Sequence, residues 1–106
     1  MSTGRIGKAD LLAGTNTTIY TVPTDTFTVA SVSFCNRNSQ AVAVRLAIAS
    51  TSTPTDAEWI EYDAEVPGRG VLERTGLVMQ AAKLLVVRSS ASNVSAVAFG
   101  IETSSI

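Results

Sequence analysis

Short segments rich in Val, Ile, Thr, Phe and Tyr alternate along this chain with turn signals spaced roughly ten residues apart. Within the segments, apolar and polar residues alternate with the period of two that is typical of β-strands, and no long segment keeps a helical period. The pattern predicts strands over residues 6–11, 17–22, 26–35, 41–49, 59–66, 71–75, 84–89 and 94–102, with 77–80 as a candidate ninth.

The connections between these segments have the residues that tight turns require. Residues 23–25 place a proline where a turn needs a fixed φ, and residues 36–39 supply side chains that bond their own backbone. Residues 54–58 have capping-box spacing, which predicts one short helical turn. The predicted fold is therefore all-β, a single antiparallel β-sandwich or jelly-roll-like domain over residues 1–106.

Two of the strands carry large residues on one face and small residues on the other. The small residues are Ala43, Ala47, Ala49, Ala96, Ala98 and Gly100, and Arg45 is the only charged residue among them. A wet strand face normally carries long polar residues, so we expect these flat faces to contact another surface. In a third strand, Phe27 and Val29 differ in parity from Val32 and Phe34, which predicts a bulge near Ala30 or Ser31.

Composition narrows the classes of function. Only 16% of the residues are charged and the mean hydropathy is +0.25, whereas the surface of a freely diffusing domain is usually about a quarter charged or more. The net charge of −1 comes without a basic cluster, so no nucleic-acid partner is predicted. No segment has the length of a membrane span, so no membrane partner is predicted either. The single Cys35 is expected to be a small buried residue.

Three carboxylates and a tryptophan share one predicted strand. Glu61, Asp63 and Glu65 lie on the same strand face as Trp59, because all four positions are odd-numbered. Carboxylates at this spacing could bind a divalent cation or act as a glycosidase-like pair, and Trp59 could stack on a sugar. Carboxylates that alternate with apolar residues are also typical of a solvated strand face, and we favour that interpretation. The chain has no histidine to act as a general base or metal ligand. No catalytic residue, metal site or cofactor is predicted, and the protein is not expected to be an enzyme.

Six short segments, in order, resemble those of small virion structural proteins of tailed bacteriophages. They are residues 20–23 (YTVP), 35–38 (CNRN), 45–48 (RLAI), 59–63 (WIEYD), 72–76 (LERTG) and 98–102 (AFGIE). The resemblance spans most of the chain. It implies a compact β-sandwich that assembles as a trimer or ring on other virion proteins, is made in the host cytoplasm, and has no catalytic residues.

These observations predict a non-enzymatic virion structural protein that self-assembles and attaches to the neck, tail or baseplate. Capsid decoration is the near alternative, and a carbohydrate-binding module for host glycan, built around Trp59, is the alternative of another class. The predicted interface residues are Ala43, Arg45, Ala47, Trp59, Arg69, Arg74, Ala96 and Ala98.

Overall fold

The computed structural model describes residues 2–106, which form eight strands and one short 3-10 helix. Strand bounds follow the alternating segments closely, because Pro, Gly, Asn and Ser interrupt the chain between them. The strands are β1 (Thr3–Leu11), β2 (Thr17–Thr21), β3 (Thr26–Asn36), β4 (Val42–Ala49), β5 (Trp59–Val66), β6 (Val71–Met79), β7 (Leu84–Ser89) and β8 (Val94–Ser104). The 3-10 helix, Asp56–Glu58, confirms the predicted helical turn.

The strands form two antiparallel four-stranded sheets. Sheet I has the order β1-β8-β3-β6 and sheet II the order β2-β7-β4-β5. Apart from β4 and β5, which are consecutive and pair with each other, neighbouring strands are distant in sequence, so the chain passes back and forth between the sheets, as it does in a jelly roll. The structure therefore confirms the predicted all-β sandwich and identifies its jelly-roll topology.

The predicted bulge in β3 is wrong, because the extra residue lies in β6. All eleven residues of β3 pair in continuous register with β8. Between the pairs Ala30–Leu77 and Val32–Arg74, β3 advances two residues while β6 advances three. Gly76, at a φ of 71°, absorbs the difference in a conformation that other residues rarely adopt. The two segments predicted at 71–75 and 77–80 are therefore one strand.

The core lies between the two sheets. Sheet I contributes Val32 and Phe34, and sheet II contributes Val44, Leu46 and Leu85, all fully buried. Burying each such side chain stabilises the folded chain by about 1.5–3 kcal/mol.

A buried polar cluster links the sheets at one end of this core. The hydroxyl of Tyr20, on β2, donates to Glu102 Oε2 on β8 at 2.5 Å and lies 2.8 Å from Thr28 Oγ1 on β3. Burial, together with the hydrogen bond to Glu102, raises the pKa of Tyr20 to about 12. That hydrogen bond and one from the Ser2 backbone N–H lower the pKa of Glu102. The cluster satisfies polar groups that would otherwise be buried without partners.

The amide of Asn36 fastens two loops at the opposite end of β3. Its Nδ2 lies within hydrogen-bond distance of the carbonyl oxygens of Gln40, Val66 and Pro67, at 2.8–3.2 Å. Its Oδ1 accepts from the backbone N–H of Asn38 at 2.9 Å. Because Asn36 is only 1% exposed, these are the contacts that replace water around the amide.

Candidate functional site

Ala96 and Ala98 lie in the core, so the prediction that they form a contact surface is wrong. Ala96 pairs with Phe34 and Ala98 with Val32, whose side chains fill the space between the sheets. Small residues are needed on β8 because these larger neighbours occupy the volume beside them. Phe99 and Ile101, the largest residues of β8, point outward instead.

The small face of β4 has the predicted orientation, but it is partly covered from within the chain. Ala47 is fully buried: it pairs with Trp59, and β4 also contacts the 3-10 helix. Ala47 is therefore unavailable to a second molecule, and its prediction as an interface residue is wrong. Ala43 and Arg45 are half-buried.

Arg45 is held by an acidic and an aromatic residue of β5. Its Nε donates to Asp63 Oδ1 at 2.7 Å and its Nη2 to Oδ2 at 3.3 Å, while its guanidinium carbon lies 4.0 Å from the centre of the Tyr62 ring. Asp63 adopts a φ of 56° where the pairing of β5 with β4 is irregular. The Arg45 hydrogen bonds lower the pKa of Asp63, and Asp63 raises that of Arg45.

The three carboxylates of β5 do not converge. Asp63 binds Arg45, Glu65 is exposed, and Glu61 Oε2 accepts from Arg74 Nη1 at 2.7 Å. The last pair connects β5 with β6 across the open edge of the sandwich, so the contact of Arg74 seen here lies within the chain. No cluster of three or more His, Cys, Asp or Glu residues suited to a metal ion occurs in residues 2–106.

The aromatic residues of β5 also do not form a flat platform. The rings of Trp59 and Tyr62 are 5.6 Å apart and inclined at 72°, and Arg45 covers one face of Tyr62. Sugar-binding surfaces need an accessible ring face, so this geometry does not favour the carbohydrate-binding alternative.

The remaining sequence-predicted features lie on the surface. Arg69 is exposed in the turn between β5 and β6 at a φ of 60°, and its backbone N–H donates to Asn38 O at 2.9 Å. Cys35 is exposed, against the prediction that it is buried, because odd-numbered residues of β3 point away from the core. Within the described residues, no helix is long and apolar enough to cross a membrane.

The outer face of sheet I carries an apolar patch that the sequence prediction missed. Paired residues of neighbouring strands share a face, so Val29, Ile101 and Val78 lie side by side, with Phe27 and Phe99 adjoining them. These five side chains, named here the apolar patch, are between 37% and 68% exposed. The opposite parities of Phe27 and Val29 against Val32 and Phe34 were its signal: β3 is apolar on both faces.

Comparisons with known proteins find similarity among solved structures. No protein-family model and no curated protein matches the chain. Among solved structures, it is similar to a chain of the capsid asymmetric unit of cyanophage Pam1, with a TM-score of 0.42 and 9% identity over 92% of this chain and 83% of that chain.

Proposed function

We propose that this chain is a non-enzymatic structural protein of a bacteriophage particle. In this proposal the protein self-assembles and attaches to the neck, tail or baseplate, with the capsid surface as the alternative location. The sequence resemblance to small virion structural proteins supports the proposal, and the jelly roll is an architecture that viral capsid domains use.

The apolar patch is the observation that carries the proposal. Scattered exposed apolar residues are ordinary, but five contiguous ones on one sheet face are typical of a surface that contacts another protein. Four of the five residues lie on β3 and β8, which pair with a strand on both sides, and Val78 lies on the edge strand β6. A rigid apolar face of this kind gains free energy when a second protein removes it from water.

The charged groups nearest the predicted interface residues support a structural role rather than a reaction. Arg45, Asp63, Arg74 and Glu61 are engaged with one another as ion pairs. Such pairs fix the surface shape of β5 and its neighbours, and the partly exposed pairs contribute little to stability. We therefore propose that the protein acts by contacts that bury its surface against other proteins, and not by catalysis.

The test is to locate the chain in particles of the phage that encodes it. We expect mass spectrometry to find the chain in purified particles, and electron cryomicroscopy to show jelly-roll density with the apolar patch covered by protein. Absence of the chain from purified particles, or a patch facing solvent there, would contradict the proposal.

A variant pair sharpens this test. Ile101→Glu places a charge in the apolar patch, and Thr18→Glu places the same charge on an exposed position of sheet II. We expect Ile101→Glu to lower incorporation into particles by roughly tenfold or more, because a carboxylate without a partner is expensive to bury. Thr18→Glu should be incorporated as well as the native chain.

A further inference from the structure

Opposite charges stand at the two ends of one row of residues across sheet I. Lys8 on β1 pairs with Val97 on β8, Val97 with Ser33 on β3, and Ser33 with Glu73 on β6. Directly paired residues share a face, so all four side chains point outward with the apolar patch. The row runs from a cation at one sheet edge to an anion at the other.

Neither charge has an ion-pair partner among residues 2–106. Lys8 and Glu73 are both exposed, and the three ion pairs of the described chain involve other residues. Three strand spacings separate them, about 14 Å, which is too far for a contact within one chain. Each charge is therefore free to meet its opposite on another molecule.

We propose that the outer face of sheet I packs on the same face of a second copy of this chain. The twofold axis runs parallel to the strands, between β8 and β3. This operation lays the order β1-β8-β3-β6 over β6-β3-β8-β1, so Lys8 of each copy meets Glu73 of the other. The inference deepens the self-assembly part of the proposed function and rests on it.

The residues at the centre of the face, on β8 and β3, are complementary under the same axis. Val29 and Ile101 are paired neighbours on either side of the axis, so each meets the other residue in the second copy. Phe99 pairs with Ser31, so the large ring of one copy lies over the small side chain of the other. Along the two central strands, β8 and β3, large residues therefore meet small ones and apolar residues meet apolar ones, which is the packing that stacked sheets require.

The face is large enough for a stable pair. Four strands about 4.8 Å apart and nine residues at about 3.4 Å each give a projected area of roughly 600 Å². Accessible area exceeds projected area on a surface of protruding side chains, and standard interfaces bury about 800 Å² per partner. A twofold contact of this kind closes on itself, so it specifies a dimer rather than the trimer or ring that the resemblance implies.

Charge reversal and its rescue test the pairing. We expect sedimentation velocity to show a dimer of the native chain at micromolar concentration. Lys8→Glu and Glu73→Lys should each weaken the dimer by roughly tenfold, because the twofold repeats each like-charge contact. The double variant Lys8→Glu/Glu73→Lys should restore the native dissociation constant, an outcome that independent surface effects would not give.

A third variant tests the centre of the contact. Val29→Glu should yield a monomer whose circular dichroism matches that of the native chain, since Val29 points away from the core. A native monomer at about 100 μM, a native trimer, or a double variant without rescue would overturn the pairing. If the pairing fails while the chain still enters particles with its patch covered, the virion role stands and another protein covers the face.

Discussion

Tyr20→Phe removes one oxygen atom from the polar cluster that joins β2 to β3 and β8. Near neutral pH the change leaves Thr28 Oγ1 without its 2.8 Å partner and Glu102 Oε2 without its 2.5 Å donor. Thr28 is fully buried, so its hydroxyl has no ready access to water. We expect the free energy of unfolding to fall by about 1–3 kcal/mol.

The effect of pH follows from the raised pKa of Tyr20, about 12 against 10.0 in an unfolded chain. Below pH 10 the phenol is protonated in both states, so its contribution to stability is complete. Between pH 10 and 12 the unfolded chain loses the proton while the folded chain keeps it. The free energy of unfolding therefore falls as the pH rises through this interval.

Guanidinium unfolding between about pH 9 and pH 12 measures this loss. The native chain should lose stability across the interval, and Tyr20→Phe should lack the part that Tyr20 contributes. Tyr62→Phe is the matched control, because Tyr62 is exposed on β5 and should leave the loss unchanged. An equally steep alkaline loss in Tyr20→Phe would refute the argument.

Acid offers a second comparison on the same cluster. The Tyr20 hydrogen bond is the first cause of the lowered pKa of Glu102, so this carboxylate stabilises the fold above pH 4.5 and loses that contribution as the pH falls. Tyr20→Phe should therefore show a smaller loss of stability in acid than the native chain does.

Two further substitutions test the core and the loops. Ala98→Glu should leave the chain unfolded by circular dichroism, because a buried charge without a partner costs several kcal/mol of a total stability of about 5–15. Ala43→Glu, on the outward face of β4, should fold, and a folded Ala98→Glu would show that β8 has the opposite orientation. Asn36→Ala should lower the free energy of unfolding by about 3 kcal/mol in urea, since buried carbonyl groups lose their donor. Asn16→Ala, at an exposed position, should change it by less than about 0.5 kcal/mol.

The strands and the fold class could be predicted from the sequence because their signals are local. Alternation marks each strand, and turn residues mark its ends. Gly76 misled the prediction in β6, because a glycine that ends a strand and a glycine that absorbs a bulge look the same in one sequence.

The orientation of β8 could not be predicted in this way. Alternation separates Ala96 and Ala98 from Phe99 and Ile101, but it does not say which set faces the other sheet. That choice depends on how much volume residues such as Phe34 already fill, which is set by strands far away in sequence. The apolar patch had one local signal, the apolar residues on both faces of β3, but its assembly with β6 and β8, like the charged row, depends on the same long-range pairing.

The position of β8 in sheet I has a consequence for synthesis. It is the last of the eight strands to leave the ribosome, yet it lies between β1 and β3 and pairs with both. Until residues 94–104 emerge, β1 has no strand of sheet I beside it and β3 has one unpaired edge. Closure must wait for contacts of long sequence separation, which form slowly and leave edges open to aggregation. Translation that stalls shortly before residue 94 should therefore leave a nascent chain in which the core between the two sheets is not closed. Chaperones would need to shield this state.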